Sequence, residues 1–514
     1  IANHLLHLGV KKGDKVAILS ANMPNWGITQ FAIANIGAIA VPILPGFCST
    51  ELQNILEHAE VKVIFVSRLL AKCLEGVKTP FLEHKILINN FATMPEGCYQ
   101  PEDLDKLVPD INLNNTTPLP EVSIEEEDIA SIIYTSGTTG FSKGVVLTHK
   151  NLVWDARQCR TIQPVDETYR FLSILPMAHT YENTLGLLLP LMFGAQVYYL
   201  DRVPTPKLLV PAMQKIRPTV VLSVPLIIEK IYKSQVLPKF TSSKLMSKLY
   251  QFAPARKLFN RLAGKKLMET FGGELKFFGI GGSKLDGTVE QFLREAKFPY
   301  AIGYGLTETA PMAAGSNPSQ TFLQGVGPVM EGVQIKINDP DKSGQGEIWI
   351  KGPNVMKGYY KRPELTAETF TEDGWFKTGD LGSFDKKNRL AIRGRIKTMI
   401  LGASGENIYP EEIESIINNF RFVNESLVVE NSGKLVAMVH FNMEELEKQY
   451  QKLKDQAGNY KEKINDYIEE QKQELRDYVN ARVNNFSKLQ LVLVQHEPFE
   501  KTPTHKIKRF LYCK

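Results

Sequence analysis

Residues 134–144, Tyr-Thr-Ser-Gly-Thr-Thr-Gly-Phe-Ser-Lys-Gly, constrain this chain more than any other stretch. Its last ten positions hold five hydroxyl side chains, three glycines and one lysine. Ile129, Ala130, Ile132 and Ile133 precede it, and Val145, Val146 and Leu147 follow. That arrangement predicts two buried strands joined by a polar loop. Glycine lets backbone amides approach a ligand, hydroxyls donate to anionic oxygens, and lysine adds a point charge. Such a loop suits a polyphosphate. It is not a G-x-x-x-x-G-K-[ST] loop, because Ser142 stands five positions after Gly137 and Gly144 follows Lys143. A dinucleotide fingerprint is also absent, since Gly279-Ile-Gly-Gly-Ser-Lys284 breaks the G-x-G-x-x-G spacing.

The surrounding pattern is that of a soluble α/β protein. Strand signals at 15–19, 41–44 and 61–66 alternate with helical signals at 26–38 and 51–59, which predicts parallel βαβ units. Glycine-rich residues 325–360 carry short alternating runs and predict a small antiparallel unit. Beyond it lie a compact segment at 386–400 and a terminal unit with a long charged helical stretch at 444–484. With 514 residues, about three units are expected. A net charge of +5 is too small for a dedicated nucleic-acid binder. The five cysteines are scattered without C-x-x-C spacing, which argues against a disulfide framework or zinc site and for a reducing cytosol. The apolar runs 31–47 and 184–200 contain proline and fall short of the roughly 20 residues a spanning helix needs, so both are expected in the core. The chain starts at Ile1 in what reads as a helix in progress, so it is expected to lack its native N-terminus.

Three further clusters suit the same ligand. Within residues 303–311, Tyr304 can stack on a base, Thr307 can bond a phosphate and Glu308 can hold Mg2+. Within residues 375–381, Asp380 sits at a turn, where a carboxylate can accept from both hydroxyls of a ribose. Arg395 and Lys397 follow, and Lys506 lies in the basic segment 501–509. Taken singly, Glu308 reads as a helix cap, Asp380 as an Asx turn and Lys506 as one lysine of a tail.

In this order, however, these clusters resemble the adenylate-forming superfamily of acyl-CoA synthetases, luciferases and peptide-synthetase adenylation domains. The resemblance runs from Lys15 to Arg509. It is carried by the phosphate loop, residues 175–180 (Leu-Pro-Met-Ala-His-Thr), the Gly281-Gly-Ser283 turn, residues 304–309, Thr378-Gly-Asp380, Arg393-Gly-Arg-Ile-Lys397, residues 404–414 and the C-terminal lysine motif. Residues 404–414 and 502–508 are most similar to bacterial long-chain fatty acid–CoA ligases.

The resemblance implies a large N-terminal domain of stacked βαβ sheets at 1–396, with a small β-barrel subdomain within 325–394. A small mobile α+β domain at 397–514 would follow. It implies ATP, Mg2+ and CoA, with a fatty acid as the other substrate. Carboxylate and ATP would give acyl-AMP and pyrophosphate, and a thiol would then displace AMP.

In this scheme Thr135, Ser136, Gly137, Thr138, Thr139, Gly140 and Lys143 hold the β- and γ-phosphates. Glu308 and Thr138 bind Mg2+, and Thr307 contacts the α-phosphate. Gly281, Gly282, Ser283, Tyr304 and Gly305 form the adenine slot, with Asp380 and Arg395 on the ribose. Lys506 is the adenylation lysine, Lys397 the hinge, and His179 lies beside the acyl and phosphate sites; a hydrogen-bonded core histidine is its alternative reading.

Three features depart from the common pattern. Ser283-Lys284 replaces Ala-Pro, His505 replaces the frequent glycine, and Tyr181-Glu-Asn183 stands where some long-chain enzymes carry a tryptophan gate. The acceptor is left open between CoA and a carrier-protein thiol, the acid between a fatty acid and another carboxylate, and a non-catalytic nucleotide-binding protein is the remaining alternative. The expected setting is cytoplasmic, with peripheral membrane contact weighed on the basic tail. Oligomeric state is unassigned.

Overall fold

Two largely parallel sheets form the bulk of the molecule. The computed structural model describes residues 1–47, 49–111, 117–135, 142–202, 204–241, 243–401, 407–431, 433–453, 460–503 and 506–512. The first sheet has eight strands, in the spatial order Gly358–Tyr359, Lys143–Thr148, Ile129–Thr135, Ile39–Pro42, Lys15–Leu19, Val61–Val66, His84–Leu87 and Ala92–Thr93. Its centre is parallel, and Val16, Ala17, Ile18, Val63, Ile64 and Phe65 are fully buried. This burial on both faces explains why these strands read as apolar runs rather than as alternation. Ile129–Thr135 and Lys143–Thr148 pair antiparallel, ending at Thr135 opposite Lys143. The two strands that flank the hydroxyl- and glycine-rich run therefore form a hairpin in the core.

The second sheet has six strands, in the order Met312–Gly315, Tyr300–Gly305, Phe277–Ile280, Val220–Ser223, Arg170–Ser173 and Gln196–Tyr199. All but the first pair are parallel. Parallel strands share one C-terminal edge, and ligands of open α/β sheets bind outside that edge. The segments carrying His179, Gly281–Ser283 and Tyr304–Glu308 all leave the sheet there.

A four-stranded antiparallel sheet, Gln334–Asn338, Gly346–Lys351, Phe376–Phe384 and Leu390–Arg395, supplies the β-rich portion. The final unit is a three-stranded sheet of Val423–Asn431, Lys434–Phe441 and Leu491–Val494. Helices Pro410–Ile417 and Tyr460–Asn480 pack on one face, burying Ile413, Ile417, Leu475 and Val479 with Val428, Val439 and Val492. On the other face Leu427, Val429 and Val436 pack with Phe499, Ile507 and Tyr512. Tertiary packing thus seats the segment that carries Lys506. Among the described residues no helix is long and apolar enough to cross a membrane. Cys73, Cys98 and Cys159 are free thiols.

Candidate active site

Register in the four-stranded sheet places Asp380 directly opposite Arg395. The Asp380 side chain is 7% exposed, and Arg395 Nε lies 3.1 Å from its Oδ1. The Tyr304 hydroxyl donates to Asp380 Oδ2 at 2.8 Å. Burial, then the Asp380 charge, pushes the Tyr304 hydroxyl far above its ordinary range, so it keeps its proton and serves as a donor. The Asp380 charge raises Arg395 further, so the guanidinium stays charged. The Asp380 turn is itself pinned: Gly379 adopts φ +71°, its N–H donates to Glu347 Oε1 at 3.0 Å, and the Asp380 N–H donates to Thr378 Oγ1 at 3.0 Å. A buried carboxylate between one neutral and one charged donor suits vicinal hydroxyls of a ribose.

Glu308 stands on the single turn Thr307–Thr309, just past the strand Tyr300–Gly305. The Tyr359 hydroxyl donates to its Oε1 at 2.9 Å. Lys143 Nζ lies 5.2 Å from the centre of the Tyr359 ring, within cation–π range. Burial and the nearby Lys397 charge lower Lys143, while Glu308 and Glu368 act the other way. Lys143, Tyr359 and Glu308 therefore form one continuous patch, with Lys397 at its edge. The turn around Glu308 is fixed by Asn354, whose Nδ2 donates to the Thr309 carbonyl at 3.0 Å and to that of Met312 at 2.5 Å. The Thr184 hydroxyl donates to the Ala310 carbonyl at 2.8 Å.

The adenine-slot candidates lie one strand away. Gly282 adopts φ +89°, and the Gly281 N–H donates to the Ser223 carbonyl at 3.1 Å. The Tyr181 ring lies against this strand end: a Cβ on Gly279 would meet its hydroxyl at 2.8 Å, and one on Gly281 would meet the ring at 3.3 Å. These glycines make room for Tyr181 as much as for a base. Gly305 is explained by packing, since a Cβ there would sit 1.7 Å from the Pro311 carbonyl oxygen.

His179 caps the short helix Thr180–Glu182, and its Nδ1 accepts from the Tyr181 N–H at 3.2 Å. This leaves Nε2 to carry the proton of the neutral ring. Burial, then the Lys506 charge, lowers His179 to about 4, so the ring is neutral at physiological pH.

Lys506 is exposed, but in a cleft walled by protein. Crowding lowers it to about 8, with Arg395 adding to the effect and Asp380 and Glu308 opposing it. These influences put its ammonium within electrostatic reach of Arg395, Asp380, Glu308 and His179. Its backbone is set by a tight turn: Lys501 and Ile507 bridge antiparallel, the Thr502 N–H donates to the Lys506 carbonyl at 2.7 Å, and the Lys506 N–H donates to Thr502 Oγ1 at 3.2 Å. That turn abuts the first sheet's side of the molecule, where a Cβ on Gly46 would meet Pro503 Cα at 3.0 Å.

The helix Pro410–Ile417 ties this arrangement together. Lys284 Nζ pairs with Glu412 Oε1 at 2.8 Å. Asp286 caps the helix Gly287–Glu295 with Oδ1, while its Oδ2 accepts from Ser415 Oγ and Asn419 Nδ2. From the same helix, Glu414 pairs with Arg509, three residues beyond Lys506.

The structure thus brings together Lys143, Tyr304, Thr307, Glu308, Asp380, Arg395, Lys397, Lys506 and His179, with Gly281, Gly282 and Ser283 just past the end of the next strand. Ser136, Gly137, Thr138, Thr139 and Gly140 lie outside the described residues; Thr135 is the last described residue before them. Tyr359, Asn354 and the Lys284–Glu412 pair were missed in the sequence. Tyr359 follows an Asn354-Val-Met-Lys-Gly run without distinctive spacing, and its partner Glu308 is remote in the chain. Leu185, Leu187 and Leu189 are buried.

Nucleotide and Mg2+ fit this donor set. Among the described residues no three His, Cys, Asp or Glu side chains cluster as a metal cage. A single carboxylate, Glu308, suits Mg2+ that is otherwise held by substrate phosphates and water.

Residues 1–360 match the family described as AMP-binding enzyme. Fatty acyl-CoA synthetase A of Dictyostelium discoideum is 27% identical over 99% of this chain and 81% of its own length. The long-chain-fatty-acid–CoA ligase FadD15 of Mycobacterium bovis is 29% identical over 88% of this chain and 77% of its own. Among solved structures, ATP-bound MatB from Rhodopseudomonas palustris shares the fold with a TM-score of 0.75 at 21% identity, covering 99% of this chain and 90% of that one.

Proposed function

The chain belongs to the AMP-binding enzyme family, and from that premise we propose that it is an ATP-dependent long-chain fatty acid–CoA ligase. The observation that carries this reading is the convergence of the Asp380–Tyr304–Arg395 clamp, Glu308 and Lys506 outside one sheet edge. In the first half-reaction a carboxylate oxygen of the acid attacks the α-phosphorus of ATP. The bond from that phosphorus to the bridging oxygen breaks, and pyrophosphate leaves with the electron pair. In the second, the CoA sulfur attacks the acyl carbonyl carbon, the bond to AMP breaks, and the thioester and AMP remain.

Asp380 accepts from the ribose hydroxyls, with Arg395 beside it. Gly281, Gly282, Ser283, Tyr304 and Gly305 line the adenine slot. Lys143, with Thr135–Thr139 and Gly140, cradles the β- and γ-phosphates, and Thr307 contacts the α-phosphate. Glu308, with Thr138, holds Mg2+, which when bound neutralises phosphate charge. Lys506 bridges the carboxylate and the α-phosphate, where a positioned cation stabilises charge that grows toward the leaving group. Neutral His179 offers Nε2–H as a donor beside the acyl and phosphate sites. Lys397 serves in this reading as the hinge between domains of residues 1–396 and 397–514, whose swing removes Lys506 and opens a path for the thiol. The proposed setting is the cytoplasm, with contact at a bilayer surface, where long-chain acids partition.

The test is ATP–pyrophosphate exchange with carboxylic acids of graded length, followed by thioester formation with CoA or with a holo carrier protein. Exchange with long-chain acids and transfer to CoA are expected. Exchange with no fatty acid at any length would sink the reading, and transfer to the carrier protein alone would move the activity to acyl–carrier-protein ligation.

A further inference from the structure

Helices Lys244–Gln251 and Ala253–Thr270 form a hairpin outside the site. Its inner faces pack on the second sheet's core through Met246, Tyr250 and Leu267, and the Tyr250 hydroxyl donates to Asn260 Oδ1 at 2.8 Å. The outer faces carry large apolar side chains in water: Leu245, Leu249, Phe252, Leu258 and Leu262 are 69, 40, 64, 58 and 61% exposed. The spacing 245, 249 on one helix and 258, 262 on the next is that of one stripe per helix, with Phe252 at the junction between them. A lone exposed leucine needs no explanation, but five large side chains on adjoining helices form a patch that marks an interaction site.

The charge around the patch is of one sign. From Lys230 to Met268 the chain holds ten Lys or Arg and no Asp or Glu, although the whole protein is nearly balanced at 61 basic and 56 acidic residues. Lys248, Lys257, Arg261, Lys265 and Lys266 are exposed beside the stripes. Arg256, by contrast, turns inward to Glu295 at 2.9 Å. Pairing this face with a second copy would bring cations against cations. An anionic bilayer complements both properties, because apolar groups enter the acyl boundary while lysine and arginine stems keep their charges at headgroup phosphates.

We propose that the outer face of this hairpin is a docking surface for an anionic phospholipid bilayer. It gives a location to the bilayer contact named above and depends on that contact, not on the adenylation chemistry. Docking would hold the enzyme where a long-chain acid resides.

The experiment is flotation of the full chain with vesicles of phosphatidylcholine alone or mixed with phosphatidylglycerol. Two variants are compared with the parent, Leu245→Ser/Phe252→Ser/Leu258→Ser and Lys257→Gln/Arg261→Gln/Lys265→Gln. The parent is expected to float with mixed vesicles, less so as salt rises. The partition coefficient should fall about fivefold per charge removed and roughly tenfold or more in the apolar variant. ATP–pyrophosphate exchange with detergent-dispersed acid should stay at the parent rate in both variants, which also reports folding. Equal binding to phosphatidylcholine alone, or binding unchanged in both variants, would overturn the proposal. So would a parent dimer by light scattering that the apolar variant dissociates, since the face would then belong to a second copy. Absent exchange with intact flotation would strike the proposed chemistry and leave the surface standing.

Discussion

The clamp around Asp380 and the turn around Lys506 face the same cleft but are built differently. Asp380, Arg395 and Tyr304 are positioned by strand register and by a sheet end, and both Asp380 oxygens have a partner within the set. Lys506 is positioned by a separate small unit whose own sheet holds Ile507 and Phe499, and it reaches the cleft only because that unit is docked. Strand register is fixed once the chain folds, whereas the small unit meets the cleft through a few side-chain contacts such as Lys284–Glu412 and Gly46 against Pro503. Under the proposed mechanism the nucleotide side is thus preorganised, and the Lys506 cation is delivered by the small unit.

This contrast can be broken or sharpened by substitution. Lys506→Ala should slow ATP–pyrophosphate exchange roughly 10²–10³-fold, as loss of one positioned transition-state donor does. It should spare thioester formation from presynthesised acyl-AMP; equal loss in both half-reactions would show that the lysine is not a delivered, single-step group. Asp380→Ala should raise the KM for ATP roughly 10- to 100-fold, the range for losing hydrogen bonds to a charged group. Both half-reactions should suffer, since the clamp does not depend on docking.

Raising the pH through about 8 should reduce exchange, because Lys506 loses its proton and its charge above that value. In Lys506→Arg, whose guanidinium stays charged, the residual exchange should show no such limb. Persistence of the limb in that variant would assign it to another group. Tyr304→Phe should raise the KM for ATP by only about two- to tenfold, because Asp380 keeps Arg395. The smallest effect belongs to the interface: Lys284→Ala should lower exchange less than about fivefold, in keeping with a partly exposed ion pair. Reversing both charges in Lys284→Glu/Glu412→Lys should restore it, and failure of that restoration would remove the pair from the docking equilibrium.

Some of this was legible in the sequence because it is local. Val61 to Val66 reads as a doubly buried strand from its own residues, and the hydroxyl- and glycine-rich run declares a hairpin loop between apolar flanks. Glu308, Asp380 and Lys506 gain meaning only from their order along the chain, since each alone has an ordinary explanation. Tyr359 and Asn354 could not be found this way. Their partners, Glu308 and the carbonyls of Thr309 and Met312, lie more than 40 positions away, and no periodicity links them. Gly305 was read as ligand-facing, while the close Pro311 carbonyl supplies a sufficient packing reason for it. In the sequence Lys284 stands out only as a departure from the common Ala-Pro; its partner Glu412 comes from the other unit, and such a contact is invisible to local pattern.

The contact between Gly46 and Pro503 offers a mechanical handle. A methyl group at position 46 would already press on Pro503 Cα at 3.0 Å, and a branched side chain there would act as a doorstop. Gly46→Val alters no residue that touches substrate, yet it should prop the small unit, and Lys506 with it, away from the cleft. Such a protein should lose the step that makes acyl-AMP and keep the step that consumes it. One glycine would then set which half of the catalytic cycle the molecule can perform.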